Sequence, residues 1–199
     1  FVRIRLKQYY VEHPDYRWKT NPPGLPELQL YYTAGFADGP PYDTFSKIQL
    51  RIDQSLQAGE LGQLNWHMSV GRFLKSGKVP YMDHFIPIGN ETHLWLDENT
   101  RFQFLQFYTR SSSKEYGAFH LNQDFDKWLL GKIPLLRVLD ANTEIGLSAH
   151  AMPEHKPYTE WRIGIRNLGI GKFKICHILY GQGYWGKQKF DGFRFGLRF

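Results

Sequence analysis

Asp83 and His84 stand side by side, with His93 and Asp97 a short way along the same stretch. Carboxylates and imidazoles gathered on one segment could hold a metal ion or act as a general base. Their spacing fits no zinc motif, and no Gly-x-Ser-x-Gly supplies a serine nucleophile. The other reading is that Asp83, His84 and Asn90 hydrogen-bond the backbone of a folded loop. With no second constellation to support chemistry, the loop reading takes precedence. No catalytic residue, cofactor or metal is expected, and a hydrolase using Asp83 and His84 is kept as an alternative.

The basic residues are the next group with a pattern. Arg3, Arg5 and Lys7 alternate with Val2, Ile4 and Leu6. Arg162 and Arg166 share one face of a later segment, and Arg194 and Arg198 share one face of the last, each set opposite apolar residues. In a strand, alternate side chains point to opposite faces, so these cations should line one side of a sheet. Such a side would attract anionic solutes or lipid headgroups. Alternatively, Glu27, Asp53, Glu144 and Glu160 pair with the cations in an internal network. The network is favoured, because uncompensated like charges in a narrow space repel. Nucleic acid is not expected as a partner: it needs cations gathered on one exposed surface with stacking aromatics, not regular alternation with Phe, Leu and Ile.

Those cations must be positioned by strands, and period two dominates the chain. About ten strands are predicted. Four lie around Val2–Leu6, Leu28–Tyr32, Ile48–Leu56 and Leu64–Val70; six more lie near 101–109, 115–125, 141–151, 158–167, 172–181 and 190–199. Asn21-Pro22-Pro23-Gly24, Gly39-Pro40-Pro41 and Gly59-Glu60-Leu61-Gly62 read as turns. Ser76–Thr100 reads as a long loop with a short strand at His93–Leu96, and Pro134 argues against a continuous helix over Trp128–Leu139. Strands of nine to eleven residues are long enough to cross a bilayer at a tilt of about 45°. The predicted fold class is therefore all-β, an antiparallel transmembrane β-barrel of which residues 1–199 form the C-terminal part.

Composition agrees with that reading. The 199 residues include 15 Phe, 12 Tyr and 6 Trp, so disorder is excluded. The lone Cys176 excludes a disulfide scaffold. No apolar run is long enough for a membrane helix. The net charge of +6 and the negative mean hydropathy suggest a soluble basic protein, but a barrel with one apolar and one polar face averages to the same values. Aromatics near strand ends, such as Tyr9, Tyr31, Tyr108, Tyr184 and Trp185, suit interfacial girdles; their other role is packing in a β-sandwich core. Gly71, Gly146, Gly164 and Gly196 inside strands either mark bends or make room for an inserted loop. A strand pattern at residue 1 implies a fragment of a longer barrel. Phe193, Phe195, Leu197 and Phe199 alternate up to the last residue and resemble the C-terminal signal strand of bacterial outer-membrane barrels.

Three segments carry a more specific resemblance: Tyr81–Phe85 with Gly89–Thr92, Phe104–Ser111, and Leu130–Arg137. Together they are similar to the C-terminal barrel of a Gram-negative outer-membrane family of unassigned function, in which a carboxypeptidase-regulatory-like domain precedes the barrel. A more distant resemblance, through Trp161–Ile165, Gly171–Ile175 and Phe193–Phe199, is to the BamA/TamA superfamily of insertases and translocation pores. There a long inward-folded loop occupies the place of Phe85–Thr92, which makes Asp83, His84, Phe85, Gly89 and Asn90 the candidate inward-loop residues. That superfamily's loop carries an Arg-Gly pair whose Arg locks it to the wall. Here Ile88 precedes Gly89, and no Arg occurs between Phe85 and Thr100, so that lock is not expected from this stretch. The resemblances imply a non-enzymatic outer-membrane barrel in envelope biogenesis or in macromolecule or solute transport. Its partners would be outer-membrane lipid and envelope-biogenesis proteins or other barrels. A passive porin- or receptor-like barrel is the alternative.

Overall fold

The structure is a computed structural model and describes residues 2–5, 9–13, 16–20, 24–75, 77–95, 99–132, 141–170 and 173–197. Arg198, Phe199, Asp97 and residues 133–139 lie outside the described residues, as do the side chains of Arg5 and Leu197. The elements are β1 (Val2–Arg5), β2 (Tyr9–Glu12), β3 (Arg17–Thr20), β4 (Glu27–Gly35), β5 (Phe45–Gln57), β6 (Gln63–Lys75), β7 (Glu115–Asp124), β8 (Asn142–Met152), β9 (His155–Ile170), β10 (Phe173–Trp185) and β11 (Gln188–Leu197). Nine strands form one antiparallel sheet in the order β1-β4-β5-β6-β7-β8-β9-β10-β11, and β2 pairs with β3 in a separate hairpin. From β4 onward every strand pairs with its sequence neighbour. The sheet is open: among the described residues no ladder joins β1 to β11.

The hairpin between β5 and β6 turns where the glycine pair predicted it. Gly59 and Gly62 adopt φ of 58° and 81° around a single 3-10 turn, a conformation glycine takes without a Cβ penalty. The strand expected near 101–109 is not formed. That stretch is a series of turns with Phe102, Gln103, Phe104 and Leu105 all buried. The amides of Gln103 and Phe104 bond a side-chain carboxylate, described below, instead of a neighbouring strand. The short strand expected at His93–Leu96 reduces to one parallel bridge between Leu94 and Phe195, on the free edge of β11.

The two faces of the sheet are the reverse of those in a soluble protein. One face carries Leu30, Ile48, Val70, Phe119, Ile145, Leu147, Ile163 and Ile178, all substantially exposed, together with Phe193 and Phe195 at 54% and 51% exposure. The opposite face buries His67, Ser69, His120, Asn122, Glu144, Ser148, His150, Glu160, Arg162 and His177. Burying so many polar groups is costly unless each finds a partner. Here the partners come from one another across the strands and from the long segment between β6 and β7, which lies across this polar face. Three small aromatic clusters replace a continuous core: Phe45, Phe73, Val79 and Tyr116; Trp95, Phe104 and Leu179; Phe102, Leu105 and Tyr158.

Candidate functional site

The β6–β7 segment is closed at its base by a two-way bridge, in which the Phe85 amide donates to the Ser112 carbonyl at 2.9 Å and the Ser112 amide returns 3.0 Å to Phe85. Phe85 also stacks on Tyr116 of β7 at 3.8 Å. Asn90, almost fully buried, organises the tip. Its amide nitrogen donates to the Leu94 carbonyl at 2.7 Å and to Gln103 Oε1 at 3.1 Å, while its Oδ1 accepts from the Thr92 amide and hydroxyl. Gly89 lies so close to the Leu105 and Gln106 carbonyls that a Cβ would collide with backbone. Asp83 offers its carbonyl to Lys47 Nζ at 2.8 Å, and His84 Nδ1 lies 3.2 Å from Ser111 Oγ. Of the sequence-predicted group, Asp83 and His84 thus take part in hydrogen bonds of the loop, the His93 carbonyl accepts from the Phe195 amide of β11, and Asp97 lies outside the described residues. Among the described residues no three His, Cys, Asp or Glu side chains converge as a metal site would need.

The sheet holds the segment through Glu160 on β9. This carboxylate, 2% exposed, accepts from the amides of Gln103 at 2.9 Å and Phe104 at 3.1 Å and from the Tyr158 hydroxyl at 3.0 Å. Arg162, two residues on, lies 3.5 Å from the same carboxylate and donates to Ser148 Oγ at 3.0 Å and to Asn122 Oδ1. Arg166 pairs with Glu144 and stands 4.8 Å over the Trp95 ring. Arg194 on β11 donates to the Gln103 carbonyl at 3.1 Å and stacks over Phe104. Arg3 pairs with Glu27 at 3.0 Å. Among the basic residues singled out by alternation, those with described side chains each have such a partner, and two of them, Arg166 and Arg194, touch the segment.

In-strand glycines admit the segment's rings. A Cβ on Gly181 would sit 2.7 Å from the Phe104 ring, and one on Gly164 would sit 3.2 Å from Trp95. Gly71 and Gly146 instead accommodate Tyr116 and Arg162 from neighbouring strands.

Arg110 was not among the candidates, because it lies beyond the stretch in which a locking arginine was sought. It is 1% exposed, and its guanidinium sits 4.2 Å over Trp185 and 5.3 Å over Tyr158. It donates to the Lys156 carbonyl at 3.0 Å and meets His150 Nε2 at 3.3 Å. Burial pulls its proton affinity below the usual arginine range, while Tyr158 acts in the opposite direction; an arginine stays charged regardless. Arg110→Ala is expected to cost about 2–3 kcal/mol through lost stacking and hydrogen bonds. The check is the midpoint of a urea titration, and an unchanged midpoint would exclude Arg110 as an anchor.

Two cavities flank the segment on the polar face of β4–β7. One of about 460 Å³ is lined by Glu27, Asp53, His67 and His120 among others, and one of about 410 Å³ by Lys47, Arg51, His67, His84 and His120 among others. They share His67, Thr100 and His120.

Residues 2–165 match the family described as "Family of unknown function (DUF5686) C-terminal domain". The chain belongs to this family. Neither a curated protein nor a solved structure matches it. The DUF5686 C-terminal domain as matched takes in β1 to β8, the whole β6–β7 segment with Arg110, and the Glu160–Arg162 pair. It stops short of β10 and β11.

Proposed function

We propose that this sheet is part of the wall of a transmembrane outer-membrane β-barrel, acting without enzymatic chemistry in envelope biogenesis or macromolecule transport. The observation that carries this reading is the inverted burial: apolar side chains outward, a polar and charged face inward and covered. A bilayer gives the outward face its favourable environment. All seven strands from β5 to β11 are the length of a crossing or longer, β5, β6 and β10 each having 13 residues and β9 having 16. Nine strands joined by antiparallel steps leave β1 and β11 running the same way. They cannot close on each other antiparallel, as bacterial barrels do, so the reading requires an odd number of further strands. On this view the family resemblance to outer-membrane barrels and the more distant one to the BamA/TamA superfamily describe the same architecture. Asp83 and His84, engaged in loop bonds, support the non-enzymatic reading over the hydrolase.

The test has two arms. Full-length protein in detergent is expected to migrate differently on a gel before and after boiling; a soluble protein with no shift would end the barrel reading. Depletion is expected to alter the outer-membrane protein or lipid profile. Unchanged profiles in a heat-shifting barrel would leave the passive porin-like alternative, which the two polar cavities favour.

A further inference from the structure

The 410 Å³ cavity between β5, β6, β7 and residues 84–88 has a charge pattern that the rest of the polar face lacks. Two formal cations, Lys47 and Arg51, reach it from β5, and three imidazoles, His67, His84 and His120, also line it. No Asp or Glu lines it, whereas the neighbouring cavity is lined by both Glu27 and Asp53. Two carboxylates stand outside the lining but next to it: Asp53 contacts His67, and Asp83, whose carbonyl accepts from Lys47, is near enough for its charge to act on that lysine.

Arg51 differs from the paired arginines of the same face. Arg162 and Arg166 each have a carboxylate partner, but Arg51 has no ion pair among the described residues. Its Nε is buried without a hydrogen-bond partner, and its guanidinium lies 5.5 Å over the Tyr31 ring. A buried donor left unpaired is costly, and a partly buried cation more so. A planar guanidinium, with a second cation lining the same cavity, fits the oxygens of a tetrahedral oxyanion. Gln49 and Ser69 add neutral donors on the same wall, while Phe85 and Ile86 make the opposite wall apolar.

We propose that this cavity is a binding site for a phosphate-type oxyanion, either free or as the headgroup of a lipid, with Arg51 as the principal donor and Lys47 as the second cation. The site does not depend on the sheet lying in a bilayer, so its test is separate from that of the barrel.

Full-length protein is titrated calorimetrically with inorganic phosphate and, separately, with short-chain phosphatidic acid at constant ionic strength. Saturable binding of at least one is expected. Binding of both points to the free anion as sufficient, and binding of phosphatidic acid alone points to the headgroup. Arg51→Gln should weaken binding at least about tenfold, the loss of one charge-assisted hydrogen bond, and Arg51→Lys should recover part of it. Lys189→Gln removes the same charge from the exposed start of β11 and should change nothing. If Arg51→Gln fails to fold, Lys47→Gln is judged by the same criterion. The proposal is overturned if neither ligand saturates, or if the folded cavity variant binds as tightly as the parent.

Discussion

Glu160→Ala is expected to release residues 99–110 from the wall at a cost of about 3–5 kcal/mol, the usual penalty for removing one partner of a buried charge pair. The carboxylate is the shared acceptor for two segment amides and the Tyr158 hydroxyl, and Arg162 stands against it. Removing it strands three donors and leaves the Arg162 charge, still bonded to Ser148 and Asn122, without its carboxylate. Hydrogen exchange reads this directly: the Gln103 and Phe104 amides should lose protection while those at the centres of β7 and β8 keep theirs. Arg162→Met added to Glu160→Ala should recover part of the loss, because the stranded guanidinium goes as well. Unchanged protection at Gln103 and Phe104 would show that Glu160 does not hold the segment.

Leu147→Arg is expected to cost about 2–4 kcal/mol if the outward face lies in hydrocarbon, the penalty of a cation at the bilayer midplane. Leu147 is the sixth of the 11 residues of β8, stands opposite Leu121 and Trp161, and is 48% exposed. In water a half-exposed position of this kind tolerates substitution within about 0.5 kcal/mol. The two environments therefore predict different results for one substitution. Urea titration of the protein folded in lipid vesicles measures it. A null effect there, with Glu160→Ala behaving as above, would place the apolar face against protein or water instead of lipid.

Much of the sheet was legible because alternation is a local property. Leu64, Trp66, Met68 and Val70 against Asn65, His67, Ser69 and Gly71 define β6 and its two faces without any knowledge of neighbours. The same holds for Ile145 and Leu147 against Ser148 and His150 on β8. The stretch 101–109 misled for the same reason. Its Phe, Gln, Phe and Leu suit a strand locally, but its amides are claimed by Glu160, more than fifty residues away. Arg110 carried no local signal, since nothing around it in sequence announces Trp185 and Tyr158. Asp83 and His84 drew attention as adjacent titratable groups, yet the contacts formed are a main-chain carbonyl with Lys47 of β5 and a ring nitrogen with Ser111.

Strand identity, side-chain facing and the hairpin turn at Gly59–Gly62 follow from the amino-acid order, because period two and positive-φ glycine act within a few residues. The long-range pairings do not. Whether a buried arginine meets a carboxylate, an aromatic ring or an empty cavity depends on which distant strand faces it, and only the folded sheet brings those groups within hydrogen-bonding range. Arg162 and Arg51 look alike in sequence, each a cation alternating with Ile. The fold places Glu160 beside the first and an unfilled space beside the second.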